Sequence, residues 1–389
     1  MRILQLVLAP RLSGAEMIVK GIAIAHRGAG HDVGMASLLP AEADFADAAR
    51  ELAAHRVTCF FPRVRYAHLA RLGFLYGAIR RFAPDIVFAH TTLPALYARA
   101  LPITVPIVFV MHSGTNDFAE DRRLWCAERL LSHRARAVIG VAQRNVEQYA
   151  ATIGPPRESF VVPNGVDVNR FGVASGSIEH EHEHEREREG AKRQRPKRIV
   201  QIGRYMPEKG QLETVRAFQL ALAREPYGQG RPPSPLLHLC GVVEDREYHA
   251  HVVSLVERLG LASNVRIEGP RADVPQLLAQ ADAFAMPSRF EAHSVGFLEA
   301  LASGIPIVAS AIDAFAFARD YASVSLVDTH HAERYARALT AALEQPRATR
   351  PLEGLTLEDT AGRYLEIARR VVTACGPANA RRREAASRR

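Results

Sequence analysis

Short apolar segments alternate with helical segments along most of the chain, in two successive series. Their continuous apolar composition is typical of strands that are buried on both faces of a parallel sheet. In the first half, these segments are 2–9, 32–38, 84–89, 107–110, 138–141 and 160–162. In the second half, they are 198–202, 236–240, 265–268, 283–286, 307–309 and 324–327. The pattern predicts two doubly wound α/β domains, in which ligands bind beyond the carboxyl ends of the strands.

Length and cysteine usage agree with two intracellular domains. A chain of 389 residues can form two cores of about 150 residues each. Its cysteines lie far apart without C-x-x-C spacing, which argues against a disulfide framework or a zinc site. Residues 1–9 are typical of a first strand and not of a signal sequence, and no apolar run approaches the roughly 18 residues of a membrane span. We therefore expect a cytoplasmic protein.

Two carboxylates lie in a predicted strand–loop–helix junction of the second half. Glu291 is in the loop, and Glu299 is inside a helix over 294–303 that Ser294 can cap and Gly304 follows. The first amides of such a helix and its dipole favour an anion. Each carboxylate can accept hydrogen bonds from hydroxyls on either side of that anion, an arrangement that fits a nucleotide-sugar. Two acids at this spacing are equally compatible with ordinary solvated charges.

A second group of charges follows the first predicted strand of the same half. Gly203 ends the strand, and Arg204 and Lys209 then bracket a tight loop that ends at Gly210, before a helix over 211–223. Two cations placed in this way can converge on one diphosphate, with arginine as a planar fork and lysine as a point charge.

Together these motifs resemble those of retaining glycosyltransferases of family 4. The matching residues occur in the family's order over roughly residues 1–345: Gly14-Ala15-Glu16, His112, Pro163-Asn164-Gly165-Val166-Asp167, Gly203-Arg204, Lys209-Gly210, and the pair Glu291 and Glu299. The resemblance implies the GT-B fold, an α/β architecture of two facing Rossmann-like, doubly wound domains with an interdomain cleft.

The same resemblance assigns roles to individual residues. The implied catalytic residues are His112, Arg204, Lys209 and Glu291. The implied donor-binding residues are Gly14, Glu16, Gly203, Arg204, Lys209, Glu291, Ala292, His293, Ser294, Val295 and Glu299. In these roles the two cations clamp the diphosphate, Glu291 contacts the sugar hydroxyls and Glu299 contacts the ribose hydroxyls. His112 lies near the reacting carbon, and His90 ranks below it because Thr92 replaces the second histidine of the family's pair.

The implied reaction moves a hexose-type sugar from a UDP-, GDP- or ADP-sugar to an acceptor hydroxyl with retained configuration. No cofactor and no metal are implied, because the two cations stabilise the leaving diphosphate in place of a metal ion. The acceptor is a glycan or lipid-linked molecule, in the synthesis of a cell-surface glycan or glycolipid such as lipopolysaccharide or exopolysaccharide. Two alternatives stay open: a nucleotide-sugar epimerase or phosphorylase on the same fold, and a non-catalytic sugar-nucleotide-binding protein.

Composition and resemblance together predict five regions. They are an acceptor-side domain over 1–170, a low-complexity linker over 171–196, a nucleotide-sugar-binding domain over 197–345, a helix over 346–376 that returns to the first domain, and a disordered basic tail over 377–389. The segment 311–318 is bulkier and more apolar than the family's glycine pair, which predicts a remodelled base-side pocket.

A net charge of +8 raises the question of an anionic partner. Residues 60–82 combine aromatic side chains with five arginines, and Leu69, Leu72, Tyr76 and Ile79 share one helical face. This face can rest on an anionic membrane at the inner side of the cell, or it can pack on the sheet. Nucleic acid is a poor explanation of the charge, because no recognised binding fold or aromatic–basic platform is present.

Overall fold

The structure is a computed structural model that describes residues 1–114, 118, 121–171, 195–224 and 233–376. Its strands form two separate parallel sheets. The first contains β1 (Arg2–Val7), β2 (Asp32–Ser37), β3 (Thr58–Phe60), β4 (Ile86–His90), β5 (Ile107–Met111), β6 (Ala135–Gly140) and β7 (Ser159–Val161). The second contains β8 (Arg198–Ile202), β9 (Leu236–Cys240), β10 (Val265–Glu268), β11 (Ala283–Met286), β12 (Ile307–Ser310) and β13 (Val324–Val327).

Helices connect almost all of these strands, as parallel pairing requires. In the first half they are α1 (Gly14–Gly28), α2 (Ala46–Ala54), α3 (His68–Phe82), α4 (Thr92–Ala100), α5 (Arg122–Leu131), α6 (Gln143–Thr152) and α7 (Val168–Phe171). In the second half they are α8 (Gln211–Arg224), α9 (Arg246–Arg258), α10 (Val274–Gln280), α11 (Val295–Ala302), α12 (Ala332–Ala342) and α13 (Leu357–Ala374). Short 3₁₀ turns cover Ala43–Phe45, Ser132–Arg134, Pro207–Lys209 and Asp313–Ala318.

The chain divides into two compact units, and each contains one sheet. One unit comprises Met1–Gly165 together with the segment that begins at Gly354, and the other comprises Val166–Glu353. Residues 172–194 of the predicted linker and the whole predicted tail 377–389 lie outside the described residues.

In both sheets, the side on which successive strands are added changes beside the first strand. The strand order is β3-β2-β1-β4-β5-β6-β7 in the first sheet and β10-β9-β8-β11-β12-β13 in the second. In each sheet the early strands are added on one side of the first strand, and the chain then crosses to the other side. This topology places a switch point between β1 and β4 and another between β8 and β11, where α/β sheets bind ligands.

The predicted α/β class and its two doubly wound halves are confirmed, with small differences at strand ends. β1 ends at Val7 and not at residue 9, because its last paired residue in β2 is Ser37. β3 is absent from the sequence-based prediction, since its three residues are too few and too exposed to give an apolar pattern. The predicted cap of α11 is wrong: Ser294 occupies the N-cap position but makes no side-chain capping bond. Its hydroxyl donates instead to Sδ of Met286, at 3.4 Å.

The last helix, α13, packs against the first sheet's unit at two glycines. A Cβ atom on Gly21 of α1 would lie 2.7 Å from the side chain of Leu357, and one on Gly165 would lie 2.0 Å from the carbonyl oxygen of Thr356. A capping box between Thr356 and Asp359 starts the helix. Nε2 of His26 lies 2.9 Å from the carbonyl oxygen of Ala361. The absence of side chains at the two glycines is thus what lets the C-terminal segment approach.

We expect Gly165→Ala to destabilise this unit strongly. The new methyl group would overlap backbone atoms of Thr356, which cannot rotate away as a side chain can. Such overpacking costs about 1–3 kcal/mol or more, which corresponds to a fall of several degrees in the melting temperature. Gly77→Ala is the matched control, because nothing lies within 4 Å of its Cβ position in α3. Equal melting temperatures for both variants, measured by calorimetry, would contradict this prediction.

The helical face predicted over 60–82 divides into two parts. Ile79 is buried and Leu72 and Tyr76 pack beside the same core, so this part of α3 covers the sheet. Leu69, in contrast, is 84% exposed. Among the described residues, no helix is both long enough and apolar enough to cross a membrane.

Candidate active site

The turn after β8 and the loop after β11 lie side by side at the switch point of the second sheet. β8 and β11 are neighbours, with Phe284 paired to Val200. Arg289 in the β11 loop donates its backbone N–H to the carbonyl oxygen of Glu208 in the β8 turn, at 2.8 Å. The charged residues predicted in these two segments are therefore brought together by sheet topology.

Gly210 fixes how closely the two segments approach. It has a positive φ of 67°, a conformation that favours glycine. A Cβ atom there would lie 2.6 Å from the carbonyl oxygen of Pro287 in the β11 loop. The buried side chain of Gln201 in β8 supports the same turn from below, donating from Nε2 to the carbonyl oxygen of Lys209 at 2.7 Å.

Lys209 and Glu291 form an ion pair across these two segments. Nζ of Lys209 lies 2.5 Å from Oε1 of Glu291, and the two side chains are only 15% and 9% exposed. Removal of either partner would leave a largely buried charge uncompensated, at a cost of several kcal/mol for fully buried pairs. Each charge is held in place by the other in the ligand-free protein.

Arg204 follows the same strand but has a different partner. Its guanidinium is 3.8 Å from Oε2 of Glu244, and both side chains are more than a third exposed. Gly203 makes only ordinary contacts, since a Cβ atom there would lie 3.8 Å from Lys209 side-chain carbons. The described structure thus joins Lys209 to Glu291 directly and holds Arg204 loosely in the adjacent turn.

The start of α11 lies beside the end of β8, at the switch point. A Cβ atom on Gly296, in the first turn, would lie 3.6 Å from the carbonyl oxygen of Ile202, the last residue of β8. Val295 begins the helix and Ala292 is buried in the preceding loop. The free amides of this helix end therefore lie near the end of β8.

Aromatic side chains pack against each other at the start of α11. The ring of His293 stacks on Phe317 at 5.8 Å, and Phe297 stacks on Phe315 at 4.3 Å. Burial lowers the pKa of His293 to about 4. Both phenylalanine partners belong to the 3₁₀ turn Asp313–Ala318. The bulky apolar residues singled out in the sequence thus pack against the helix that carries Glu299.

Glu299 is the most perturbed carboxyl group of this region. Its side chain is partly accessible, but its carboxyl group is surrounded by protein, and burial raises its pKa from 4.5 to about 7. The positive charge of Arg170 opposes this shift. Near neutral pH the carboxyl group is therefore divided between its protonated and ionised forms.

In the other unit, Gly14 begins α1 with an exposed backbone. Ser13 takes the N-cap position without capping a backbone N–H, and its hydroxyl donates to the carboxylate of Glu16. Glu16 itself is 6% exposed. The predicted glycine and glutamate thus both lie at the helix start, and Glu16 already accepts a hydrogen bond from Ser13.

His90 and His112 form a hydrogen-bonded chain with Gln5 at the β1/β4 switch point. Nε2 of His90 lies 2.7 Å from Oε1 of Gln5, and its Nδ1 lies 2.9 Å from Nε2 of His112. The ring of Tyr364, from α13, stacks on His90 at 6.2 Å. Burial lowers the pKa of His112 to about 4, although a side-chain hydrogen bond with Asn164 acts to raise it, and burial also lowers the pKa of His90 well below its usual value.

The direction of this chain follows from the chemistry of the amide. An amide oxygen only accepts, so Nε2 of His90 carries a proton. Because burial keeps both rings neutral, Nδ1 of His90 accepts and Nε2 of His112 donates. Nδ1 of His112 then carries no proton and can accept a hydrogen bond. Gln5 therefore determines which nitrogen of His112 can accept a hydrogen bond.

Two family profiles match this chain, one in each half. The profile described as Glycosyltransferase Family 4 matches residues 12–170. The profile described as Glycosyl transferases group 1 matches residues 183–353. The chain belongs to glycosyltransferase family 4. The first match covers most of the unit that holds the histidine chain, and the second covers the Lys209–Glu291 pair.

Curated relatives of this family 4 chain differ in substrate. It is 30% identical over 245 residues to D-inositol 3-phosphate glycosyltransferase of Salinispora arenicola, covering 60% of this chain and 53% of that protein. It is 24% identical to the GDP-mannose:cellobiosyl-diphosphopolyprenol alpha-mannosyltransferase of Xanthomonas campestris, covering 79% and 77%. The chain spans about half the length of the first of these relatives.

Solved structures agree with the fold of this family 4 chain. Anabaena Alr3699/HepE in complex with UDP and glucose has a TM-score of 0.68 and 20% identity, covering 99% of this chain and 100% of that one. This likeness confirms the predicted GT-B fold.

Gln5 and Gln201 were not among the residues predicted from the sequence. Each interrupts the apolar run of the first strand of its sheet, and each is at most 3% exposed. A buried polar group needs a partner, so a glutamine inside an otherwise apolar strand was an available signal. Its partner, in contrast, is defined only by the neighbouring strand or turn.

Proposed function

We propose that this family 4 chain is a retaining glycosyltransferase that moves a hexose-type sugar from a nucleoside diphosphate to an acceptor hydroxyl. The observation that carries this proposal is the largely buried Lys209–Glu291 pair at the β8/β11 switch point. A cation and a carboxylate held together there match the two needs of a nucleotide-sugar, which presents a charged diphosphate next to neutral hydroxyls.

In this proposal, binding of the donor separates Lys209 from Glu291 and gives each of them a partner on the donor. The diphosphate takes the ammonium group of Lys209, and the sugar hydroxyls donate to the carboxylate of Glu291. Arg204, whose 3.8 Å contact with Glu244 is long for an ion pair, turns to the same diphosphate. The first amides of α11 add positive potential, and the ribose hydroxyls donate to Glu299. Lys209 and Glu291 each keep a partner in this exchange.

Chemistry follows by substitution on one face of the sugar. The bond between the anomeric carbon and the diphosphate oxygen breaks, and a bond from that carbon to the acceptor oxygen forms. The acceptor's proton passes to the departing diphosphate oxygen, so the products are a glycoside and a nucleoside diphosphate. The two cations stabilise the negative charge that develops on the leaving group, which is where preorganised charge has its largest effect.

His112 is proposed to orient the donor sugar as a hydrogen-bond acceptor. Its Nδ1 is the acceptor nitrogen because the chain from Gln5 through His90 fixes the other nitrogen as a donor. A neutral ring suits this task, and burial keeps the pKa of His112 near 4. Gln5 and His90 then act as positioning residues.

We expect Gln5→Leu to lower kcat about tenfold to a hundredfold while the Kd for the nucleoside diphosphate stays unchanged, as is typical when the partner that orients a histidine is lost. Gln5→Glu retains the acceptor oxygen and should restore most of the activity. The ¹⁵N chemical shifts of the two histidines report their tautomers directly. Wild-type shifts in a slow Gln5→Leu variant would contradict the positioning role.

The overall proposal is tested by a thermal-shift panel of UDP-, GDP- and ADP-sugars. A donor that binds the folded state raises the melting temperature of the protein. At a donor concentration of a hundred times Kd, binding adds about 2.7 kcal/mol to the free energy of unfolding. The selected donor is then incubated with acceptor candidates, and the product's anomeric configuration is read by NMR. Turnover of the donor without any acceptor would favour an epimerase or phosphorylase. Tight binding without turnover, unchanged by Glu291→Ala, would favour a non-catalytic binding protein.

We further propose that the acceptor is carried by a lipid at an anionic membrane surface. The name of the Xanthomonas relative gives a cellobiosyl-diphosphopolyprenol acceptor for that protein. In support, Val64 and Leu69 are exposed apolar side chains that flank the exposed Arg65, and Arg63 precedes them. Co-sedimentation with phosphatidylglycerol vesicles should fall in an Arg63→Ala/Arg65→Ala/Leu69→Ala variant. Equal retention of both proteins would oppose this part of the proposal.

A further inference from the structure

A cavity of about 230 Å³ opens at the amino-terminal edge of the first sheet. The first residues of β1, β2 and β3 contribute to its wall, as do residues at or beyond the ends of α1, α2 and α3. One water occupies about 10–15 Å³ on the same measure, so the space admits a polyatomic ligand. Its lining residues are Arg2, Arg27, Asp32, Val33, Arg56, Thr58, Phe60, Arg81 and Phe82.

Four arginines converge on this cavity, and a single carboxylate accompanies them. Arg27 is paired with that carboxylate, at 2.9 Å from Oδ1 of Asp32. In the described part of the chain, Arg56 and Arg81 have no carboxylate within 4.0 Å, and both are exposed. The guanidinium of Arg2 lies over the ring of Phe82 at 5.0 Å. Like charges that line one cavity repel each other unless an anion lies between them.

Helix dipoles stabilise some of these arginines, because their positive charges lie at the negative ends of helices. Arg27 is in the last turn of α1, where its charge interacts favourably with the negative helix end. It also donates to the carbonyl oxygen of His31, beyond the helix, at 2.9 Å. Arg81 is also in a last turn, that of α3. Within the described residues, however, no side-chain N–H of Arg56 or Arg81 donates to a carbonyl oxygen, whereas the backbone N–H of Arg56 donates to the carbonyl oxygen of Ala53. Arg56 also has a positive φ of 57°, a backbone conformation that disfavours arginine.

We propose that this cavity is a binding site for a small phosphate-bearing anion, distinct from the proposed donor site. Guanidinium groups bind phosphate oxygens in a bidentate fashion, and the hydroxyl of Thr58 adds a donor. Phe60 and Phe82, whose rings meet edge to face at 5.9 Å, form an apolar wall suited to the organic part of a phosphate ester.

The cavity is remote from the histidine chain of the same unit. It lies at the amino ends of the strands, whereas His90 and His112 lie at or after the carboxyl ends of β4 and β5. A strand rises about 3.3 Å per residue, so the length of β1 separates the two edges by roughly 17–20 Å. The proposed diphosphate-binding residues Arg204 and Lys209 belong to the other unit. The inference therefore does not depend on the proposed function.

Calorimetric titration of the full chain with pyrophosphate tests the site. Lys209→Ala serves as the background, so that the proposed donor site does not take up the probe. In this background Arg81→Ala and Arg56→Gln should each weaken pyrophosphate binding at least about tenfold. Arg80→Ala is the matched control, since it removes an exposed arginine one position away that does not line the cavity. Melting temperatures check that each variant is folded.

Further measurements locate the ligand and identify its source. In the Lys209→Ala background, pyrophosphate should slow amide hydrogen exchange around residues 54–60. Arg81→Ala should not change the Kd for UDP in the protein with Lys209 intact. Retention on phosphatidylglycerol vesicles that Arg81→Ala abolishes and Arg80→Ala preserves would assign the phosphate to a lipid headgroup. Soluble binding without such retention would assign it to a free phosphate compound. Equal losses in Arg80→Ala and Arg81→Ala, or no binding in the Lys209→Ala background, would overturn the site.

Discussion

Lys209→Ala is expected to lower kcat/KM for sugar transfer by about 10²–10³-fold. In the proposed reaction its ammonium group stabilises charge on the leaving diphosphate, and the loss of one preorganised donor of this kind typically has an effect of that size. The loss should appear mainly in kcat, because the stabilised charge develops as the bond breaks. Initial rates over a range of donor concentrations separate the two parameters.

Lys197→Ala is the matched control for this prediction. Lys197 also belongs to the second unit and forms an ion pair, with Glu344 at 2.6 Å, but both side chains are more than 40% exposed. Surface pairs of this kind contribute little, so the control variant should have wild-type kinetics. A Lys209→Ala enzyme within twofold of wild type would remove the basis of the proposed donor site.

Stability gives an independent measure of the same ion pair. Without Lys209, the carboxylate of Glu291 is largely buried and has lost its cation, which destabilises the ligand-free protein. The double variant Lys209→Ala/Glu291→Gln should recover part of that loss, because no charge is then left alone. Urea titrations of the two single variants and the double variant yield the coupling energy. A coupling near zero would show that the pair does not hold the site together.

Glu299→Gln is expected to stabilise the ligand-free protein at high pH and to have little effect at low pH. Burial raises the pKa of Glu299 in the folded state from 4.5 to about 7, so between these values the folded state binds more protons than the unfolded state. Stability is therefore lost as pH rises through this window. The full cost above pH 7 is up to about 3 kcal/mol. Glutamine does not ionise, so its melting advantage should grow from pH 5 to pH 8.

UDP binding should depend on the same carboxyl group with the opposite sign. Ribose hydroxyls that donate to Glu299 favour its ionised form, so binding releases a proton when the group is protonated. The Kd for UDP should then rise as pH falls below about 7, up to about tenfold per pH unit. Glu299→Gln should bind UDP more weakly at pH 8 and show a flat profile. A wild-type Kd that does not change between pH 6 and pH 8 would contradict the ribose role of Glu299.

Local sequence patterns were sufficient for most of the secondary structure. Several strands of the second sheet, such as Leu236–Cys240 and Val324–Val327, begin and end where the pattern predicts. They are predictable because buried strands are continuous apolar runs and packed helices repeat every 3.6 residues. β3 was not predictable from the sequence, because it has too few residues for a pattern. The cap of α11 was not predictable either, because the hydroxyl of Ser294 donates to Met286 in another element.

Partners across the chain could not be predicted in the same way. The sequence predicts Lys209 and Glu291 as site residues, although they are 82 positions apart. Only the adjacency of β8 and β11 brings their side chains to 2.5 Å. The polar residues Gln5 and Gln201 were visible in the strands, but their partners were not.

By itself, the sequence determined the α/β class, the strands and helices, and the chemical types available at each strand end, because these follow from local periodicity and composition. Tertiary structure alone decided that Arg204 lies beside Glu244, that burial shifts the pKa of Glu299 to about 7, and that four arginines from distant segments share one cavity. The physical reason is that electrostatic and desolvation energies depend on distance and burial in space, which a linear order of residues does not specify.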